Sequence, residues 1–214
     1  MTDFETGRNG WSVSGRTDVS AVGGNPGANL DVELLDVFGM DIRQESQPID
    51  FTQPFTLTVD VLVDSITFFG GEVTRDFVVE IRDDDNGGAN GYASVYYHLG
   101  VLDAVNSPGW QTYAVTVDDP TSSVLPMGWL GAGDEDPNTF EPVLPDGRTF
   151  ADVLAGADSY TFTTFVPGFF FGFTNFDAQV DNVGFTTVPE PGTLGLLVFG
   201  GLAMCRRRRG PGFE

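Results

Sequence analysis

The chain has 214 residues, enough for one domain with a full core, and no shift in composition before Val188 asks for a second. It carries 31 Asp and Glu against 10 Arg and no Lys, a formal net charge of -21, and four of those arginines form the run Arg206 to Arg209. Such a surface repels phosphate backbones, which argues against a nucleic-acid partner, and the single cysteine, Cys205, rules out an internal disulfide.

With 28 Gly, 13 Pro and 19 Phe among many Val and Thr, the composition favours short strands joined by turns. Trp11 to Gly15 reads as a strand closing in a turn. Ala28 to Gly39 alternates around Leu30, Val32 and Leu34. Phe55 to Val63 alternates cleanly, with Phe55, Leu57, Val59, Val61 and Val63 on one face, the mark of a half-buried strand. The stretch from Asp76 to Val101 reads as a hairpin around a Gly/Asn/Asp loop, and Trp110 to Val117 as a further strand. A long polar connection follows, carrying Trp129. Phe150, Val153 and Leu154 at i, i+3 and i+4 predict one short helix. Ser159 to Val166, Phe169 to Phe176 and Ala178 to Val188 complete the body as strands, and the alternation of Phe169, Phe171 and Phe173 predicts that these rings fill the core. The expected fold is all-β: a single jelly-roll-type β-sandwich over residues 1–187 with one short helix, followed by a C-terminal apolar helix within 188–210.

Few residues suggest reaction chemistry. Asp31 and Glu33 share one strand face, the minimum for a glycosidase pair, but Asp36 falls out of phase. The run Asp83 to Gly88 fails the EF-hand spacing, since Gly87 sits at the fifth position and Ser94 at the twelfth, and reads better as a hairpin loop. The one histidine, His98, has no partner motif and reads as a sheet-face residue. No catalytic residue is assigned. Trp129 lies where no strand period is set, so it is the aromatic expected to be exposed and to stack on a sugar.

The two ends of the body, from "DFETGRNGWSV" and through Phe150-Ala151-Asp152-Val153-Leu154 to Val180-Asp181-Asn182-Val183-Gly184-Phe185, resemble laminin B (laminin IV) domains and bacterial carbohydrate-binding modules with a galactose-binding-like jelly roll. That resemblance implies a sandwich fold and a structural calcium ion tying the first strand to the last, with Glu5 and Asp181 at the matching positions. Calcium takes several oxygen ligands, commonly carboxylates and backbone carbonyls.

The last stretch is unlike the rest. Val188-Pro189-Glu190-Pro191 precedes the apolar run Gly192 to Cys205, and Arg206, Arg207, Arg208 and Arg209 follow. As a helix, these 14 residues span about 21 Å, short of the roughly 30 Å hydrocarbon core. The arginines fit a cytoplasmic membrane stop. This order closely resembles the PEP-CTERM sorting signal of exported Gram-negative bacterial proteins. It implies passage through the inner membrane, transient retention by the apolar helix and cutting near the Pro-Glu-Pro triplet by an exosortase. The family's association is with extracellular polysaccharide and biofilm matrix. The segment "MTDFETGRNGWSV" has neither a basic nor an apolar leader region, so export predicts a leader upstream of Met1. The sequence thus predicts a non-enzymatic surface or matrix protein with exosortase, the export machinery and extracellular polysaccharide as partners. A secreted glycan-processing enzyme is the alternative, and an intracellular protein with an incidental tail the third reading.

Overall fold

The computed structural model describes residues 1–188 except 17, 45–48 and 89. Its strands, in chain order, begin with β1 (Trp11–Val13), β2 (Val19–Gly24), β3 (Gly27–Val37), β4 (Asp41–Gln44) and β5 (Phe55–Phe68). Then come β6 (Gly71–Glu72), β7 (Arg75–Asp83), β8 (Ala93–Leu102), β9 (Gln111–Val117) and β10 (Trp129–Ala132). The short β11 (Asp134–Glu135) and β12 (Pro142–Val143) precede α1 (Phe150–Ala155), β13 (Ser159–Thr163) and β14 (Thr174–Thr187).

One antiparallel sheet has the order β1-β4-β13-β7-β8-β10. The other runs β2-β3-β14-β5, with β6 and β9 both pairing to β5. Counting only β3, β4, β5, β7, β8, β9, β13 and β14, the chain passes back and forth between the sheets, in the order 2-7-4-5 in the first and 1-8-3-6 in the second. That winding is a jelly-roll-like β-sandwich.

The inner faces explain why these segments are strands. On β5 the side chains of Phe55, Leu57, Val59 and Val61 are all but sealed from water, as the period-2 pattern predicts. Opposite them lie Phe77, Val79 and Ile81 of β7 and Tyr160 and Phe162 of β13. The rings interlock edge to face: Phe77 meets Tyr113 of β9 at 5.0 Å, and Trp11 meets Tyr160 at 5.4 Å. Burying each such ring contributes on the order of 1.5–3 kcal/mol. The predicted helix is present, with Phe150, Val153 and Leu154 buried, and Thr149 and Asp152 form a capping box at its start.

Two expectations fail. Phe169 to Phe173 is not strand: β14 begins only at Thr174, and Gly168 and Gly172 turn the chain through positive φ (+77° and +90°). Phe169 and Phe173 are exposed rather than core. The polar connection is also more ordered than its composition suggests, since it contains β10, which pairs with β8. The loop 164–173 lays Val166 and Phe171 against Val78 and Tyr96, a second small apolar cluster on the outer face of the first sheet. Glu80 lies on that same face, and burial pushes its carboxyl up.

Candidate functional site

The two ends of the body do meet. Thr2 bridges Val183 on β14, which brings Glu5 to the turn between β2 and β3. Glu5 Oε1 accepts from the Ala28 N–H at 3.0 Å. A Cβ on Gly27, whose φ is +91°, would collide with that carboxylate, so this approach requires glycine. Asp181, fully buried, holds the other side of the same turn. Its Oδ2 accepts from Asn25 N at 2.6 Å and its Oδ1 from Asn182 N at 2.7 Å.

A residue that the sequence reading passed over completes the cluster. Asp60 of β5 pairs directly with Asp181 and is only 6% exposed. Its Oδ1 accepts from the Thr112 hydroxyl at 2.6 Å, and its Oδ2 from the side-chain amides of Asn25 (3.1 Å) and Asn182 (2.8 Å). Asn29 follows Ala28 on β3 and is sealed from water. Its Nδ2 bonds Val22 O and Gln179 Oε1, while its Oδ1 has no partner. Burial raises the Asp181 carboxyl; the Asn25 and Asn182 N–H groups oppose that, and the charges of Asp60 and Asp3 add to it.

The donor set suits a hard cation, being all carboxylate, amide and carbonyl oxygen. Among the described residues no three His, Cys, Asp or Glu side chains converge to hold an ion. An ion here would therefore draw further oxygens from Asn25, Asn29 or Asn182.

Trp129 is placed differently from its expectation. It lies on β10 opposite Tyr97, is only 5% exposed, and packs against Tyr97 (5.6 Å) and Phe150 (5.2 Å). The strand pairing that the polar sequence concealed is what buries it. Its edge still lines a cleft of about 460 Å³, together with Tyr97, Asp118, Asp119, Ser122 and the fully projecting Met127. A Cβ on Gly128, whose φ is +86°, would collide with the Tyr97 ring.

The remaining candidates are also resolved. Asp31 and Glu33 sit exposed on the outer face of β3, and β14 places Gln179 and Asp177 opposite them. Burial, then the charges of Asp64, Asp31 and Glu33, raise the Asp177 carboxyl. His98 is an exposed sheet-face residue. Asp83 is fully buried, caps its own loop by accepting from Asp85 N and Asn86 N, and is paired with Arg148.

Val188 ends β14's extension with its N–H on Pro54 O at 2.7 Å. Pro189, Glu190, Pro191, the predicted apolar helix and Arg206 to Arg209 lie outside the described residues. Among the described residues no helix is long and apolar enough to cross a membrane. Residues 187–209 match the family model of the PEP-CTERM protein-sorting motif. The chain therefore carries the sorting signal of an exported protein of the Gram-negative envelope or surface. No curated protein matches the chain. A solved structure, described as the structural analysis of an exo-beta-agarase, is similar at a TM-score of 0.48 and 16% identity over 88% of this chain. The match spans 25% of that protein's length.

Proposed function

We propose that this is a non-enzymatic cell-surface or matrix protein, delivered by its C-terminal signal and cut by an exosortase near Pro189-Glu190-Pro191, with a β-sandwich that binds extracellular polysaccharide. The observation that carries this reading is the sorting motif at 187–209, which starts where β14 ends. Folded domain and signal are thus directly adjacent along the chain. Substituting Pro189, Glu190 and Pro191 together by Ala should leave the protein cell-bound with its arginine tail, as cell fractionation would show. Unchanged release would sink the sorting reading.

For the ligand, the cleft beside Trp129 is the best-suited surface. Tyr97 offers a ring, and Asp118, Asp119 and Ser122 offer polar groups for sugar hydroxyls. Tyr97→Ala is expected to weaken binding on a glycan array about tenfold or more, and to lower stability by about 1–3 kcal/mol because the half-buried ring also packs on Trp129. The enzyme alternative rests on the carboxylates Asp31, Glu33, Asp64 and Asp177 around one patch of the second sheet. Turnover of a β-glucan that disappears on Glu33→Gln would establish it in place of simple binding.

A structural calcium ion at the seam between the two ends of the body would take Asp60 and Asp181 as carboxylate ligands and further oxygens from Asn25, Asn29 or Asn182, with Glu5 adding negative charge at the same turn. The supporting observation is a pair of buried acids, Asp60 and Asp181, side by side. The ion would neutralise them and fix the β2–β3 turn to the last strand.

A further inference from the structure

We propose that the phenylalanine-rich end of the sandwich is a homotypic interface, through which two copies of this chain associate about a twofold axis. Phe38, Phe69, Phe165, Phe169, Phe170 and Phe173 are all between 42% and 96% exposed. Phe38 touches Phe170 (5.3 Å) and Phe173 (4.4 Å), and Phe68, Phe69, Phe170 and Phe173 line a common cleft of about 370 Å³. Scattered exposed apolar residues are ordinary, but a contiguous ring cluster of this size marks a surface that is covered by something.

Three observations select a second copy as the cover. The first is area. At about 200 Å² per phenylalanine, the exposed parts of Phe38, Phe69, Phe170 and Phe173, which touch or share the cleft, amount to about 500 Å² per copy. A standard specific interface takes about 800 Å² per partner, so two such patches facing each other supply more than half of it. The second is charge. The net charge of -21, and Asp36 at the rim of the cleft, oppose an anionic polymer or an anionic lipid surface. The third is where the chain leaves. β14 starts at Thr174 beside the patch and carries the chain about 40 Å away to Val188. The chain therefore leaves the sandwich at the end opposite the patch.

An isologous contact needs only self-complementarity, which an aromatic patch provides because rings pack against rings in many offset and edge-on arrangements. The pairing is end to end. It holds the two C-terminal exits at opposite extremes, so each exit remains free for its own anchor or attachment. Two such acidic bodies also repel each other, so the association is expected in the micromolar range and to tighten as salt rises.

Sedimentation velocity of the full chain over a concentration series tests this. The expected result is a monomer–dimer equilibrium that strengthens between low and high salt. The variant Phe69→Ser/Phe170→Ser/Phe173→Ser should associate about tenfold or more weakly while its melting temperature falls by only about 2–4 °C, since the rings are 96%, 61% and 48% exposed and lie outside the core. A second variant, Leu196→Glu/Leu197→Glu in the tail, should dimerise like the wild type. A wild type that stays monomeric at high concentration overturns the proposal. So does a dimer lost with the tail variant but kept by the patch variant, or a monomer that binds neutral lipid vesicles through these rings.

Discussion

Replacing Arg148 by Ala should destabilise the sandwich by about 3 kcal/mol or more, as expected when one partner of a buried ion pair is removed. Asp83 has no exposure at all, and the guanidinium of Arg148 supplies its ion pair from just ahead of α1. The same guanidinium reaches Asp152 O at 3.3 Å, so it also ties the start of α1 to the end of β7. Asn86 N–H and its amide remain on Asp83 in the variant, but they carry no full charge. Adding Asp83→Asn to Arg148→Ala removes the stranded charge and should recover more than half of the loss. Urea denaturation reads both effects, the first as a fall in midpoint of about 1–2 M. A loss below about 0.5 kcal/mol would mean that the amides of the Asp83 loop suffice to hold the carboxylate.

Asp181→Ala should cost about 3 kcal/mol, because it strands the N–H groups of Asn25 and Asn182 beside the buried Asp60. It should also abolish any response to calcium. In the parent protein, calcium at about a hundredfold excess over its dissociation constant stabilises by about 2.7 kcal/mol, and chelator reverses the gain. Glu5→Gln separates the two roles: the amide oxygen still accepts from Ala28 N, while the charge that favours the ion is gone. Its melt without calcium should match the wild type, with a smaller shift on adding calcium. The pH dependence follows from the raised Asp181 carboxyl. A carboxyl with a higher pKa folded than unfolded favours folding when protonated. Its contribution is greatest in acid, falls as pH rises to the folded pKa, and is flat above it. The gain from calcium is therefore largest at neutral pH and shrinks as Asp181 is protonated. Identical melts with calcium and with chelator would remove the ion from this account.

The strands with an uninterrupted period were legible from residues alone. β5 shows its inward row from Phe55 to Val63, and Phe150, Val153 and Leu154 announce α1, because these patterns are local. The phenylalanine run was misread for an equally local reason. Its alternation imitates a buried strand, and only the backbone reversals at Gly168 and Gly172 turn the rings outward. Trp129 was misjudged because β10 is four residues long and is held by pairing with β8, which no short-range signal reveals. Asp60 was invisible as a site residue. It occupies the polar phase of β5, between Thr58 and Leu62, where an acid reads as solvated. It is buried because the β2–β3 turn folds over it and Asp181 arrives from the far end of the chain. The sorting signal needed no fold to be recognised, because its order of triplet, apolar run and arginines is written in sequence.

The most direct test of the central claim is the mass of the mature C-terminus, measured on protein recovered from the surface of cells that carry the export and processing machinery. The account predicts a chain ending near Pro191, without Cys205 and without Arg206 to Arg209. A surface protein that still carries the arginines through Glu214 would contradict it.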